Sequence, residues 1–165
     1  FAYKVVTLGA ILYSSDETRL VAEALPVDEL IKAQNQSTYN EGRNKVNEFL
    51  SGADLYKLRK QNKMAAFMLH QAAEHALHTI LKIGTGLYIN THNLDKLMRY
   101  CSMASWHLPE IFARTNEKNE RLFQLLQKAY ISGRYKDNYS ISTPELMTIA
   151  DRVKQLQNVM KVYKS

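Results

Sequence analysis

The sequence predicts an all-α protein: an antiparallel up-and-down bundle of about five helices, with a short β segment at the N-terminus. Three observations carry this. Apolar residues recur with a 3.6-residue period from about residue 37 onward. The periodic stretches are joined by short polar or glycine-bearing turns, as antiparallel neighbours require. The β-branched, aliphatic run is confined to the first 25 residues. A chain of 165 residues is the size of one domain, and 45% hydrophobic residues suffice for a core.

The N-terminal run Val5-Val6-Thr7-Leu8-Gly9-Ala10-Ile11-Leu12-Tyr13 reads as extended, with residues 4–13 as its core. Ser14-Ser15-Asp16-Glu17 then gives a turn, and Leu20-Val21 starts a return strand. A lone two-stranded hairpin is marginal in water. The expectation is that this strand completes a sheet in an upstream domain, or acts as a β-arm on a partner chain. Residues 1–36 are therefore set apart from a helical domain at 37–165.

Within the helical domain, Val46, Phe49, Leu50 and Ala53 form the first apolar stripe. Ala65, Met68, Leu69, Ala72, Ala73, Ala76, Leu77, Ile80 and Leu81 form a longer one, closed by Gly84 and Gly86. Leu94, Leu97, Met98 and Cys101 mark a short third helix, with Thr91 or Asn93 as its cap. Leu122, Leu125, Leu126, Ala129 and Tyr130 mark a fourth. The last has Thr143 as N-cap and Pro144 in its first turn, then Leu146, Ile149, Ala150, Val153, Leu156 and Met160.

Charge is unevenly divided. Residues 1–36 hold three basic and five acidic side chains, a net −2; residues 37–165 hold nineteen and eleven, a net +8. A basic domain attracts phosphate-bearing partners, although a lysine-rich solvated surface gives the same balance. The single cysteine, Cys101, excludes an intrachain disulfide framework and a Cys-rich zinc site, and suits a reducing, cytoplasmic compartment. No apolar run approaches the ~18 residues of a membrane span.

The second helix carries His70, Glu74 and His78 at i, i+4 and i+8, close to one face. Imidazole and carboxylate at that spacing can hold a metal. The metalloprotease order is absent, as is a second ligand cluster, so a polar helix face is expected instead and no metal or other cofactor is assigned. Ile83-Gly84-Thr85-Gly86 follows a helix rather than preceding one, which makes it a C-cap and not a phosphate loop. His92 stands in the turn that opens the third helix. Arg134-Tyr135-Lys136-Asp137-Asn138-Tyr139, between the last two long helices, mixes basic, aromatic and acidic groups. Arg134 can pair with phosphate through its planar fork and Tyr135 can stack on a base. The same segment can equally pin the fourth helix to the bundle. No nucleophile–base arrangement stands out, and no catalytic residue is assigned.

The run Ala65-Ala66-Phe67-Met68-Leu69-His70-Gln71-Ala72-Ala73-Glu74, then Thr85-Gly86, then His92-Asn93-Leu94 ahead of Leu97, and finally Arg134-Tyr135 before a capped last helix, resembles a HEPN domain (higher eukaryotes and prokaryotes nucleotide-binding) over about residues 37–165. Gly9-Ala10-Ile11-Leu12-Tyr13-Ser14-Ser15 is similar to the closing strand of a minimal nucleotidyltransferase domain that a HEPN domain follows in bacterial proteins. The resemblance implies a frequently dimeric helical bundle working beside a nucleotidyltransferase domain. Some HEPN proteins are metal-independent ribonucleases whose site is an arginine, four to six residues, then a histidine. Arg59 and His70 have ten residues between them, and Arg99 and His107 seven; the motif is missing here. The Gly-Ser turn and paired aspartates of a nucleotidyltransferase are missing too.

The sequence thus points to a non-catalytic HEPN-like domain that binds a nucleotide or an RNA phosphate group. Arg134 and Tyr135 lead the site, with His70, Glu74 and His92 as further candidates. The alternatives are a homodimerisation or scaffold module without a ligand, and a divergent ribonuclease.

Overall fold

A computed structural model describes residues 27–104, 108–135 and 139–164. Among these residues lie six helices: α1 (Val27–Leu58), α2 (Asn62–Thr85), α3 (Leu94–Cys101), α4 (Leu108–Ile111), α5 (Glu117–Tyr135) and α6 (Thr143–Met160), closed by a 3₁₀ turn at Lys161–Tyr163. No strand occurs among the described residues, and the fold is all-α. The extended stretch expected at residues 4–13 lies outside them.

Helix α1 starts ten residues before the onset of apolar periodicity, so residue 37 is not a break in secondary structure. The physical reason is visible in its burial. Residues 29–38 are largely exposed, and the first fully buried side chain is Tyr39. A helical stretch that packs against nothing needs no apolar stripe, and leaves no periodic signal. The turn from α1 to α2 is closed by the Gln61 N–H donating to Tyr56 O at 2.9 Å, with Lys60 in the left-handed region at φ 58°.

Helix α2 is the centre of the bundle and packs against α1, α3, α5 and α6. Its alanines at 65, 66, 72, 73 and 76 are buried, and small side chains on several faces let the surrounding helices come close. α1 comes close at Gly42, where a Cβ would collide with Thr79. Gly86 ends α2 at φ 72°, its N–H donating to Lys82 O at 2.9 Å, a C-cap as the sequence predicts.

The later elements are held by their ends. Asn93 caps α3 through its side chain. α4 is a single turn without a periodic signature, seated by buried Leu108. Phe112, just beyond it, meets the α5 ring of Phe123 edge-on at 5.8 Å. The N-cap of α6 is Ser142 rather than Thr143, because Glu145 sits three residues on and completes a capping box. Thr143 is the first helical residue instead. Buried Tyr139 ties the chain ahead of α6 back to α5, its hydroxyl donating to Leu125 O at 2.9 Å. No helix among the described residues is long and apolar enough to cross a membrane.

Candidate functional site

His70 and Glu74 lie one turn apart on α2, and both are buried. A buried carboxylate needs partners, and Glu74 has them. His92 Nδ1 stands 3.0 and 3.1 Å from its two oxygens, Gln71 Nε2 donates to Oε2 at 3.3 Å, and His70 Nδ1 lies 3.7 Å from Oε2. A carboxylate only accepts, so the proton of the His92 contact sits on Nδ1. His92 is half exposed, and its Nε2 makes no hydrogen bond among the described residues. Tyr130 of α5 backs the cluster: its ring stacks on His92 with centroids 4.3 Å apart and lies 5.2 Å from that of His70.

The connection that carries His92 is fixed at several points. His78 Nε2–H donates to Thr91 O at 3.3 Å, and the Asn93 N–H donates to Thr91 Oγ1 at 3.2 Å. Asn93 Oδ1 accepts the Lys96 N–H at 2.9 Å. Gln127 Oε1, from α5, accepts the Leu94 N–H at 2.8 Å. Beside this corner opens a groove of about 460 Å³ between the α2–α3 connection and α5, lined by His92, Asn93, Gln127, Lys128, Tyr130, Ile131 and Ser132. Its volume falls in the usual range of small-ligand sites. Lys128 is exposed, with no carboxylate partner among the described residues.

The structure brings together three of the five residues singled out from sequence: His70, Glu74 and His92. It does not keep His78 with the first two. Eight residues along a helix turn a side chain about 80° off the starting face, and His78 stacks on Tyr88 at 5.4 Å instead. His75 faces α1, stacked on Phe49 at 5.3 Å. Burial lowers its pKa from the ordinary histidine value, with the nearby Glu74 charge working in the opposite direction. No group of three His, Cys, Asp or Glu side chains suited to a metal ion occurs among the described residues. Arg134 and Tyr135 belong to the last turn of α5 rather than to an inter-helical loop; their side chains, and Asp137 altogether, lie outside the described residues.

Residues that sequence reasoning did not place at the site are Asn93, Gln127, Lys128, Tyr130, Ile131 and Ser132. A signal was there: positions 127, 130, 131 and 134 follow the i, i+3, i+4, i+7 spacing of one helical face.

The described residues form an all-α bundle with a histidine-anchored groove beside its central helix, and that architecture defines the class. The sequence model of the HEPN domain family matches residues 39–164, and the chain belongs to that family. No match was found among curated proteins.

Proposed function

We propose that this HEPN domain binds a nucleotide, or the phosphate and base of an RNA, in the groove beside His92. The observation that supports it is the Glu74–His92 pair. Burying a carboxylate costs several kcal/mol, and an apolar pair of similar volume serves stability as well or better. What the carboxylate does achieve is to fix a half-exposed imidazole, with one nitrogen occupied and the other left for a ligand. In this reading His92 touches the ligand, Glu74 and His70 position it from behind, and Arg134 and Tyr135 supply charge and a stacking ring from the end of α5. The domain performs no reaction of its own. The one thiol in the chain, Cys101, is fully buried and pushed up to about 12 by that burial, which leaves it inert. The same reading places a nucleotidyltransferase domain ahead of residues 1–36, where a Gly-Ser turn and paired aspartates are expected.

A second reading, a homodimerisation scaffold, draws on the exposed apolar side chains Leu58 and Tyr88, which are 79% and 71% exposed. Titration of the purified chain with a fluorescent adenine nucleotide at two salt concentrations separates the two. A phosphate site binds at low salt, weakens as salt rises, and loses affinity in His92→Ala. A scaffold binds at neither salt concentration and scatters light as a dimer.

A further inference from the structure

The groove carries a hydrogen-bond polarity that its residue names do not reveal. A side-chain amide offers an oxygen with two lone pairs and an NH₂ with two donor hydrogens, and so recognises either kind of partner. Two amides line this groove, and in both the oxygen is already engaged. Asn93 Oδ1 accepts the Lys96 N–H, and Gln127 Oε1 accepts the Leu94 N–H. Both partners are backbone donors at the start of α3, so turning either amide over would set an NH₂ against an N–H. The orientation of both is therefore determined: one lone pair of each oxygen is used, and both hydrogens of each NH₂ are left. Neither NH₂ makes a hydrogen bond among the described residues. Lys128 adds an ammonium beside them, and no Asp or Glu lines the groove.

We infer that Asn93, Gln127 and Lys128 form a donor-rich seat for a phosphate group, and that the phosphate end of the ligand, not its base edge, lies there. The edge of a nucleobase alternates donors and acceptors and would use a donor-rich seat only in part. A phosphate presents acceptors alone, and charge-assisted bonds to it are the strong ones. A base would then lie on the His92–Tyr130 side of the same groove. The identity of the ligand as a nucleotide rests on the function proposed above; the polarity of the seat does not.

The test uses isothermal titration of the full chain with inorganic pyrophosphate and, separately, with ATP. Asn93→Ser and Gln127→Glu each retain an oxygen for the backbone N–H that the parent residue caps, so the fold is preserved while the NH₂ is removed. Lys128→Gln removes the charge alone. Melting temperatures near the parent's confirm that the variants are folded. Each of the three is expected to weaken pyrophosphate binding by about tenfold, as loss of one hydrogen bond to a charged acceptor implies. Pyrophosphate binding to the parent with unchanged affinity in Asn93→Ser, Gln127→Glu and Lys128→Gln overturns the seat. So does weakening confined to Gln127→Glu, which would be charge acting at a distance. ATP binding without pyrophosphate binding overturns the seat and leaves the nucleotide reading standing. Pyrophosphate binding without ATP binding does the reverse, and binding of neither overturns both.

Discussion

Replacing Glu74 by glutamine tests the contact on which the site depends, at almost constant volume. The parent carboxylate faces His92 Nδ1 with both oxygens, at 3.0 and 3.1 Å, and Gln71 Nε2 with one, at 3.3 Å. Both neighbours are donors. Glutamine exchanges one oxygen for an NH₂, and whichever way the amide lies, that NH₂ meets a donor. The loss is one hydrogen bond to a charged group, about 1.5–3 kcal/mol. His92 is half exposed and can turn to water, so the lower end applies, about 1.5 kcal/mol. For a chain of this length that is a fall in Tm of roughly 3–6 °C. The partner variant is His92→Phe, which keeps a ring to stack on Tyr130 and has no Nδ1. In that background the carboxylate is buried without its histidine, so Glu74→Gln should be neutral or stabilising. Urea denaturation of the four proteins therefore gives a coupling energy of about 1–2 kcal/mol between the two positions. Nitrogen NMR of the imidazole gives a second readout: neutral His92 holds its proton on Nδ1 in the parent and loses that preference in Glu74→Gln. A coupling below about 0.3 kcal/mol, with the His92 tautomer unchanged, would show that the contact is absent in solution and remove one wall of the groove.

Three further outcomes are expected. The Ser142 N–H first, then the Ser142 hydroxyl and Arg121, hold the Glu145 carboxyl down to about 2, so the capping box contributes fully above the unfolded value of about 4.3 and is lost as pH falls toward 2; Glu145→Gln should flatten the fall in Tm between pH 5 and 2, and parallel curves would refute this. Cys101, whose Sγ donates to Leu77 O at 3.2 Å, should resist iodoacetamide at pH 8 in the native chain, and rapid stoichiometric labelling would contradict its burial. Tyr139→Phe should cost about 1 kcal/mol through the lost bond to Leu125 O and leave nucleotide affinity unchanged; loss of binding at full stability would mean that the chain after α5 faces the ligand.

What the sequence made legible follows the distinction between burial and exposure. Helices α2, α3 and α6 bury an apolar stripe, and their periodicity together with their caps marks them within about three residues of their ends. The beginning of α1 buries almost nothing, so its helicity left no pattern, and the onset was read ten residues late. α4 is one turn long, too short for any period to show. The N-cap of α6 was read one residue late because Ser142 and Thr143 are both good caps; only Glu145, three residues after Ser142, distinguishes them.

The site was legible in its residue types and not in its pairing. His70 and Glu74 share a helical face by spacing alone, whereas the contact between Glu74 and His92 closes over 18 residues and depends on where the α2–α3 connection comes to rest. Tyr130 reads as part of the core stripe of α5 because its spacing from Leu126 fits that stripe, yet its ring stacks on a half-exposed histidine. Asn93 and Gln127 are a harder case. Each is ambivalent as a residue, and the orientation of each is set only because its oxygen accepts a backbone N–H at the start of α3. That occupation is a tertiary fact for Gln127, which reaches Leu94 across 33 residues, and a local one for Asn93, whose role as a cap is written in Asn93-Leu94-Asp95-Lys96. Reading which lone pairs a cap uses, as well as which residue provides it, would have made half of the proposed seat visible before any fold was known.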